Sequence, residues 1–151
     1  MKPFNQPGKA TTTRTTFSRE TSVNINISAS SSVVWNLLTS ASRFPAWNST
    51  IISIEGKIAQ GETIRLKSVL DAKRVFKLRI KKFDPNKLLV WGDGQGNRVY
   101  SIRENNDGTV TFFMTEKIGG LMFPLYAKMI PPFDNSFEQF ARDLKSTAEA
   151  K

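Results

Sequence analysis

The chain has 151 residues, 39% of them apolar, and carries a formal charge of +9 with no cysteine and no histidine. That length suits a single core-bearing domain. The missing residue types exclude disulfides, thiolate or imidazole metal sites, cysteine nucleophiles and histidine acid–base chemistry. Any catalysis has to use Asp, Glu, Tyr, Lys or Arg, and neither a metal nor a cofactor is expected.

Residues 1–13, with Pro3, Pro7, Lys2, Lys9 and three threonines, read as a loose basic lead-in, and residues 14–151 as one domain. The start lacks the apolar core of an export signal, and no stretch reaches the length of a membrane span, so a cytoplasmic protein is expected. From Phe17 to Ile27 the odd positions read Phe, Arg, Thr, Val, Ile, Ile, which is the period of a half-buried strand. The serine run 28–32 offers helix caps ahead of Val33, Val34, Leu37 and Leu38, and Pro45 biases Phe44 away from helical dihedrals.

Six further strands are expected, at 51–55, 63–70, 74–83, 88–91, 98–103 and 109–117. Asp84-Pro-Asn86 and Asn105-Asn-Asp-Gly108 are turn signals between them. The chain closes with Phe133, Phe137, Phe140, Ala141, Leu144 and Ala148 at helical spacing, behind Pro131-Pro132 and a capping-box pattern beginning at Ser136. Three aromatics on one stripe need a broad apolar surface, which the concave face of a curved sheet supplies.

Gly92-Asp-Gly-Gln-Gly96 has the look of a dinucleotide loop, but it precedes a strand and not a helix, so a hairpin turn is the better reading. Asn48-Ser-Thr50 matches a glycosylation sequon that means nothing without export. Residues 118–133 carry one charge, Lys128, among Leu121, Met122, Phe123, Leu125, Tyr126, Met129 and Ile130. Core packing is the plainer reading of that stretch and a flexible lid over a cavity the sharper one.

Glu116 continues the face of Val110, Phe112 and Met114 and must therefore reach solvent, pair with an arginine or serve a pocket. Residues 57–87 hold ten of the basic residues against three acids. Arg65, Lys67, Lys77, Arg79 and Lys81 there alternate with apolar residues and should face solvent. They would form a solvated patch or a weak contact with an anionic membrane. Without interleaved exposed aromatics, nucleic acid is the weakest partner for them.

Taken together, Ile27-Ser-Ala-Ser-Ser-Ser-Val-Val-Trp-Asn-Leu-Leu-Thr39, Phe44-Pro-Ala-Trp-Asn48, the strand 108–116 with Gly119, Gly120, Leu121 and Pro124, and the helix 137–149 resemble the START-like, or polyketide cyclase/dehydrase, superfamily (SRPBCC). The resemblance implies an α+β helix-grip fold. A curved antiparallel sheet of about seven strands would wrap a long C-terminal helix, with short helices after the first strand. Between sheet and helix it implies a cavity for a hydrophobic or amphipathic small molecule. Phe76, Leu78, Ile80, Tyr100, Phe112, Met114, Glu116, Met122, Phe133, Phe137 and Phe140 are the expected lining.

Three functions follow from that expectation. The first is binding of a lipid or polyketide-like ligand. The second is a cyclase or dehydratase reaction with Glu116 and Tyr100 as acid–base candidates. The third is lipid exchange at an anionic membrane surface through the basic hairpin and the apolar segment 121–130. The superfamily's enzymes often place histidine, arginine or tyrosine in the cavity, and the lack of histidine here departs from that pattern. The sequence carries no expectation for oligomeric state.

Overall fold

The computed structural model describes residues 7–150. Eight strands form one antiparallel sheet: β1 (Thr11–Arg14), β2 (Ser18–Ile27), β3 (Ile51–Glu55), β4 (Thr63–Ser68), β5 (Asp71–Asp84), β6 (Leu88–Gly92), β7 (Gly96–Glu104) and β8 (Val110–Gly119). Their order across the sheet is β1-β2-β8-β7-β6-β5-β4-β3. Strands β3 to β8 follow as a meander, so the last strand returns to pair with β2 and the only long crossing lies between β2 and β3. That crossing holds the helices α1 (Ser31–Thr39) and α2 (Phe44–Trp47), and α3 (Phe123–Tyr126) and α4 (Asp134–Glu149) follow β8.

The α+β helix-grip architecture is therefore present, with one strand more than expected. The additional strand is β1, whose first three residues fall in the expected lead-in. Thr11–Arg14 pairs with Ser22 to Arg19, the Thr12 hydroxyl meets that of Thr21 at 2.9 Å, and Ala10 N–H donates to Glu138 at 3.0 Å. A loose lead-in over 1–13 thus does not hold for residues 10–13, and its first six positions lie outside the described residues. The strand is polar because it sits at the sheet edge, where cross-strand threonines and not apolar alternation set the register.

Strand β2 alternates as its sequence dictates, burying Arg19, Thr21, Val23, Ile25 and Ile27. Strand β5 alternates until Ile80, then shifts register against β6 before Lys82. That irregularity leaves both Lys81 and Lys82 in solvent and turns Phe83 inward, edge-on to Trp35 with ring centroids 5.1 Å apart. Ser30 caps α1 by accepting from Val33 N–H.

Phe44 adopts helical dihedrals (φ −52°, ψ −48°) despite the proline that follows. Its ring is fully buried against Trp47 and Phe140, and that packing outweighs the local bias. Asn48 is buried, and its side-chain oxygen accepts from the Thr50 N–H and hydroxyl, so the sequon's asparagine is part of a turn.

Helix α4 begins two residues before the expected capping box and carries no side-chain cap; Asp134 sits in its first turn, where a negative charge suits the helix dipole. The predicted stripe of Phe137, Phe140, Ala141, Leu144 and Ala148 is buried. The flanks are stitched to the rest of the molecule. Asp134 accepts from Thr12, Asp143 accepts from the Ser49 N–H and hydroxyl, and Glu149 accepts from Ser28 N–H and Lys145.

Phe140 is the centre of the core, 5.6 Å from Tyr100, 6.2 Å from Phe112, 6.1 Å from Phe44 and 5.8 Å from Trp47 between ring centroids. Phe140→Ala should lower stability in chemical denaturation by about 3 to 5 kcal/mol, the range for a fully buried aromatic. Trp47→Ala should cost clearly less, because the Trp47 ring is only half-buried.

Candidate functional site

The aromatic stripe of α4 fills one part of the concave face and leaves another open. The open part is a cavity of about 510 Å³, within the range of small-molecule sites. Leu66, Phe76 and Leu78 of β4 and β5 form one wall, and Trp91 with the 92–97 turn forms a second. Arg98, Glu116 and Ile118 lie on the third side, and Tyr126, Met129, Ile130 and Phe133 close the fourth. The glycine-rich 92–96 stretch is a hairpin turn organised by Asp93, whose carboxylate accepts from Gln95 and Gly96 N–H. It borders the cavity without opening a helix.

Of the eleven expected lining residues, Phe76, Leu78, Glu116 and Phe133 border this space. Ile80, Tyr100, Phe112, Met114, Phe137 and Phe140 are instead packed in the core away from it. They lie on the anticipated inner face, but α4 fills the gap over them. Met122 is exposed on the segment after β8 and does not reach the cavity.

Glu116 meets Arg98, its direct partner across the β7–β8 pair, with Nε to Oε1 at 2.6 Å. Both side chains are largely buried, at 13% exposure for Arg98 and 19% for Glu116. Arg98 also stands over the Phe137 ring, 5.0 Å from its centroid. Burial opposes its charge, yet Glu116 and the adjacent Tyr100 more than compensate, and its pKa is raised.

Sequence reasoning found Glu116 and missed Arg98. The available signal was parity: Arg98 shares the inner face with Tyr100 and Ile102, and the β7–β8 hairpin brings it opposite Glu116. Tyr100 lies on the core side of this pair. Its hydroxyl is buried without a hydrogen bond of good geometry, although it is close enough to Arg98 to feel the charge. Burial pushes its pKa up to about 12, with Arg98 pulling the other way.

Arg19 is the second cation that sequence reasoning passed over. Only 3% exposed, it donates to the carbonyls of Ile130 (3.2 Å) and Pro131 (2.9 Å) and covers the Phe133 ring at 4.6 Å. Burial, reinforced by Arg14, lowers its pKa. It therefore fixes the fourth wall of the cavity to β2. The basic residues Arg65, Lys77, Arg79 and Lys81 are exposed and Lys67 is half-exposed, on the opposite face of the strands that bear Leu66, Phe76 and Leu78. Among the described residues, no group of three or more carboxylates could hold a metal ion, and no helix is long and apolar enough to cross a membrane.

A curved antiparallel sheet gripping a C-terminal helix, with a cavity at the unfilled end, defines a START-like helix-grip protein. More narrowly, the chain belongs to the family described as Activator of Hsp90 ATPase homolog 1-like protein, whose model matches residues 28–148. No curated protein matches the chain. A conserved protein from Enterococcus faecalis superposes with a TM-score of 0.68 at 15% identity, over 93% of this chain and 77% of its own.

A START superfamily protein from Mycobacterium smegmatis gives a TM-score of 0.63 at 15% identity, over 87% of this chain and 97% of its own. The Zhui aromatase/cyclase from Streptomyces sp. R1128 gives 0.68 at 13% identity, over 87% of this chain and 94% of its own. At such identities the likeness is one of fold.

The buried phenol generates a stability prediction. Between pH 10 and 12 the unfolded chain sheds the Tyr100 proton while the folded protein keeps it. Stability should therefore be full below pH 10 and fall by about 2 to 3 kcal/mol across that window. Urea denaturation of wild type and Tyr100→Phe from pH 9 to 12 checks this, and the variant should lack that part of the fall.

Proposed function

We propose that the protein binds an amphipathic small molecule, with an apolar body against Leu66, Phe76, Leu78 and Phe133 and a polar group toward Arg98 and Glu116. The observation that carries this reading is the cavity of about 510 Å³, apolar over most of its walls, with one buried ion pair set into it. A buried pair costs desolvation that packed apolar residues would avoid. A ligand that hydrogen-bonds to the pair gives that cost a use.

A second reading, a cyclase or dehydratase reaction on a polyketide-like substrate, draws on the same Glu116 at the cavity wall and on the fold shared with an aromatase/cyclase. General acid–base catalysis needs two titratable groups converging on one substrate atom. Glu116 and Tyr100 differ in that respect, since Glu116 borders the cavity and Tyr100 does not. Binding is the reading these positions favour.

Titration with an environment-sensitive apolar dye tests the proposal. Wild type should bind with enhanced emission, Leu78→Trp should lose at least about tenfold in affinity by filling the cavity, and Glu116→Gln should change preference among anionic and neutral amphiphiles. Wild type that binds no apolar probe, or Leu78→Trp that binds as well as wild type, would overturn it.

A further inference from the structure

The four most exposed large apolar side chains among the described residues all fall within residues 121–129: Leu121 at 86%, Met129 at 81%, Leu125 at 75% and Met122 at 61%. Soluble surfaces seldom concentrate apolar area in this way without a partner. Phe17, 50% exposed, adjoins them, because its carbonyl accepts from Gly120 N–H at 3.0 Å. The chain reaches this site by a tight passage. A Cβ on Gly119 would stand 2.5 Å from the Phe17 carbonyl oxygen, and Gly120 has φ 140°. Phe123 alone of the tip is buried, so the segment turns on one anchor and leaves Leu121, Met122 and Leu125 outward, with Met129 exposed at the edge of the cavity.

We propose that this tip inserts into the interface of an anionic lipid bilayer, placing the mouth of the cavity against the membrane. Exposures above three-fifths at four positions describe a convex tip, which suits penetration between headgroups better than seating in a groove. Charge complementarity selects an anionic surface. From Lys117 to Phe133 the chain contains two lysines and no acid, and both Lys117 and Lys128 are exposed. Arg14 adds a third exposed cation on β1, opposite Arg19, whose guanidinium holds the end of the segment, and these three cations outnumber the exposed acid Glu20, which stands opposite Lys117.

Tyr126, Met129 and Ile130 of the same segment form a cavity wall, so an apolar ligand leaving the bilayer here enters the cavity without crossing water. This docking rests on the binding function proposed above, and it uses a surface other than the basic face of β4 and β5.

Flotation with vesicles of phosphatidylcholine alone, and with about one-third phosphatidylglycerol, tests the proposal on the full chain. Wild type should float with the anionic vesicles, less so as salt rises. Leu121→Glu and Leu125→Glu, which do not line the cavity, should each weaken partition about tenfold or more while leaving apolar-dye binding intact. Arg65→Glu/Lys77→Glu should retain most of it. Dye binding fails separately if the cavity reading is wrong. Three results would overturn the docking: no flotation of folded wild type, unchanged flotation of the Leu variants with loss in the Arg65/Lys77 variant, or size-exclusion data in which Leu125→Glu converts a dimer to a monomer.

Discussion

The stacking of Phe140 on Tyr100 and Phe112 is the contact on which the remaining architecture depends. A single helix laid across a curved sheet has a rotational and a translational freedom that smooth aliphatic packing fixes poorly. Rings at offset-stacked distances remove both, and they add an energy beyond the buried area. Because Phe44 and Trp47 pack on the same ring, the crossing between β2 and β3 is locked by the contact that locks the helix. The position of Phe140 then decides where the concave face is filled, and so where it is left open.

That dependence explains how legible the molecule was in its sequence. Strands and helices announce themselves through periods of two and 3.6, and β2, β5 and α4 follow those periods to within a few residues. Strand β1 does not, because an edge strand held by threonine pairs and by Asp134 and Glu138 of α4 has no apolar alternation to read. The inner face of each strand was legible, since Phe76, Tyr100, Phe112 and Glu116 all point toward the helix side. Which of them meet empty space was not. Parity places a side chain on a face, while the distance between face and helix depends on contacts, such as those of Phe140 with Phe112, Tyr100 and Phe44, between residues 28 to 96 positions apart in the chain.

The same limit applies to the ion pair. Glu116 stood out because a carboxylate interrupts an apolar face, and an arginine partner was one of its foreseen outcomes. Arg98 did not stand out, because arginines at strand positions are commonplace and only the register of the β7–β8 hairpin sets it opposite Glu116. Once paired, Glu116 favours the charged form of Arg98 against its burial, and the Arg98 Nε–H donates to Glu116 Oε1. Their value to the fold alone is small, since replacing buried pairs with apolar residues is often neutral or stabilising. Both border the cavity, where the ligand proposed above would meet them.

Arg19 shows how the cavity's size is set from outside it. The residues before α4 include two prolines, which have no N–H to offer and leave nearby carbonyls without the helical or ladder partners that regular structure supplies. A buried guanidinium with several donors in a rigid fork answers that need, and it takes the carbonyls of Ile130 and Pro131 together. The fork is attached to β2, whose pairing with β8 fixes its distance from Glu116 and Ile118. The wall formed by Ile130 and Phe133 is thus held at a set separation from the wall formed by β8, and the apolar tip at residues 121–129 is carried between those two fixed points.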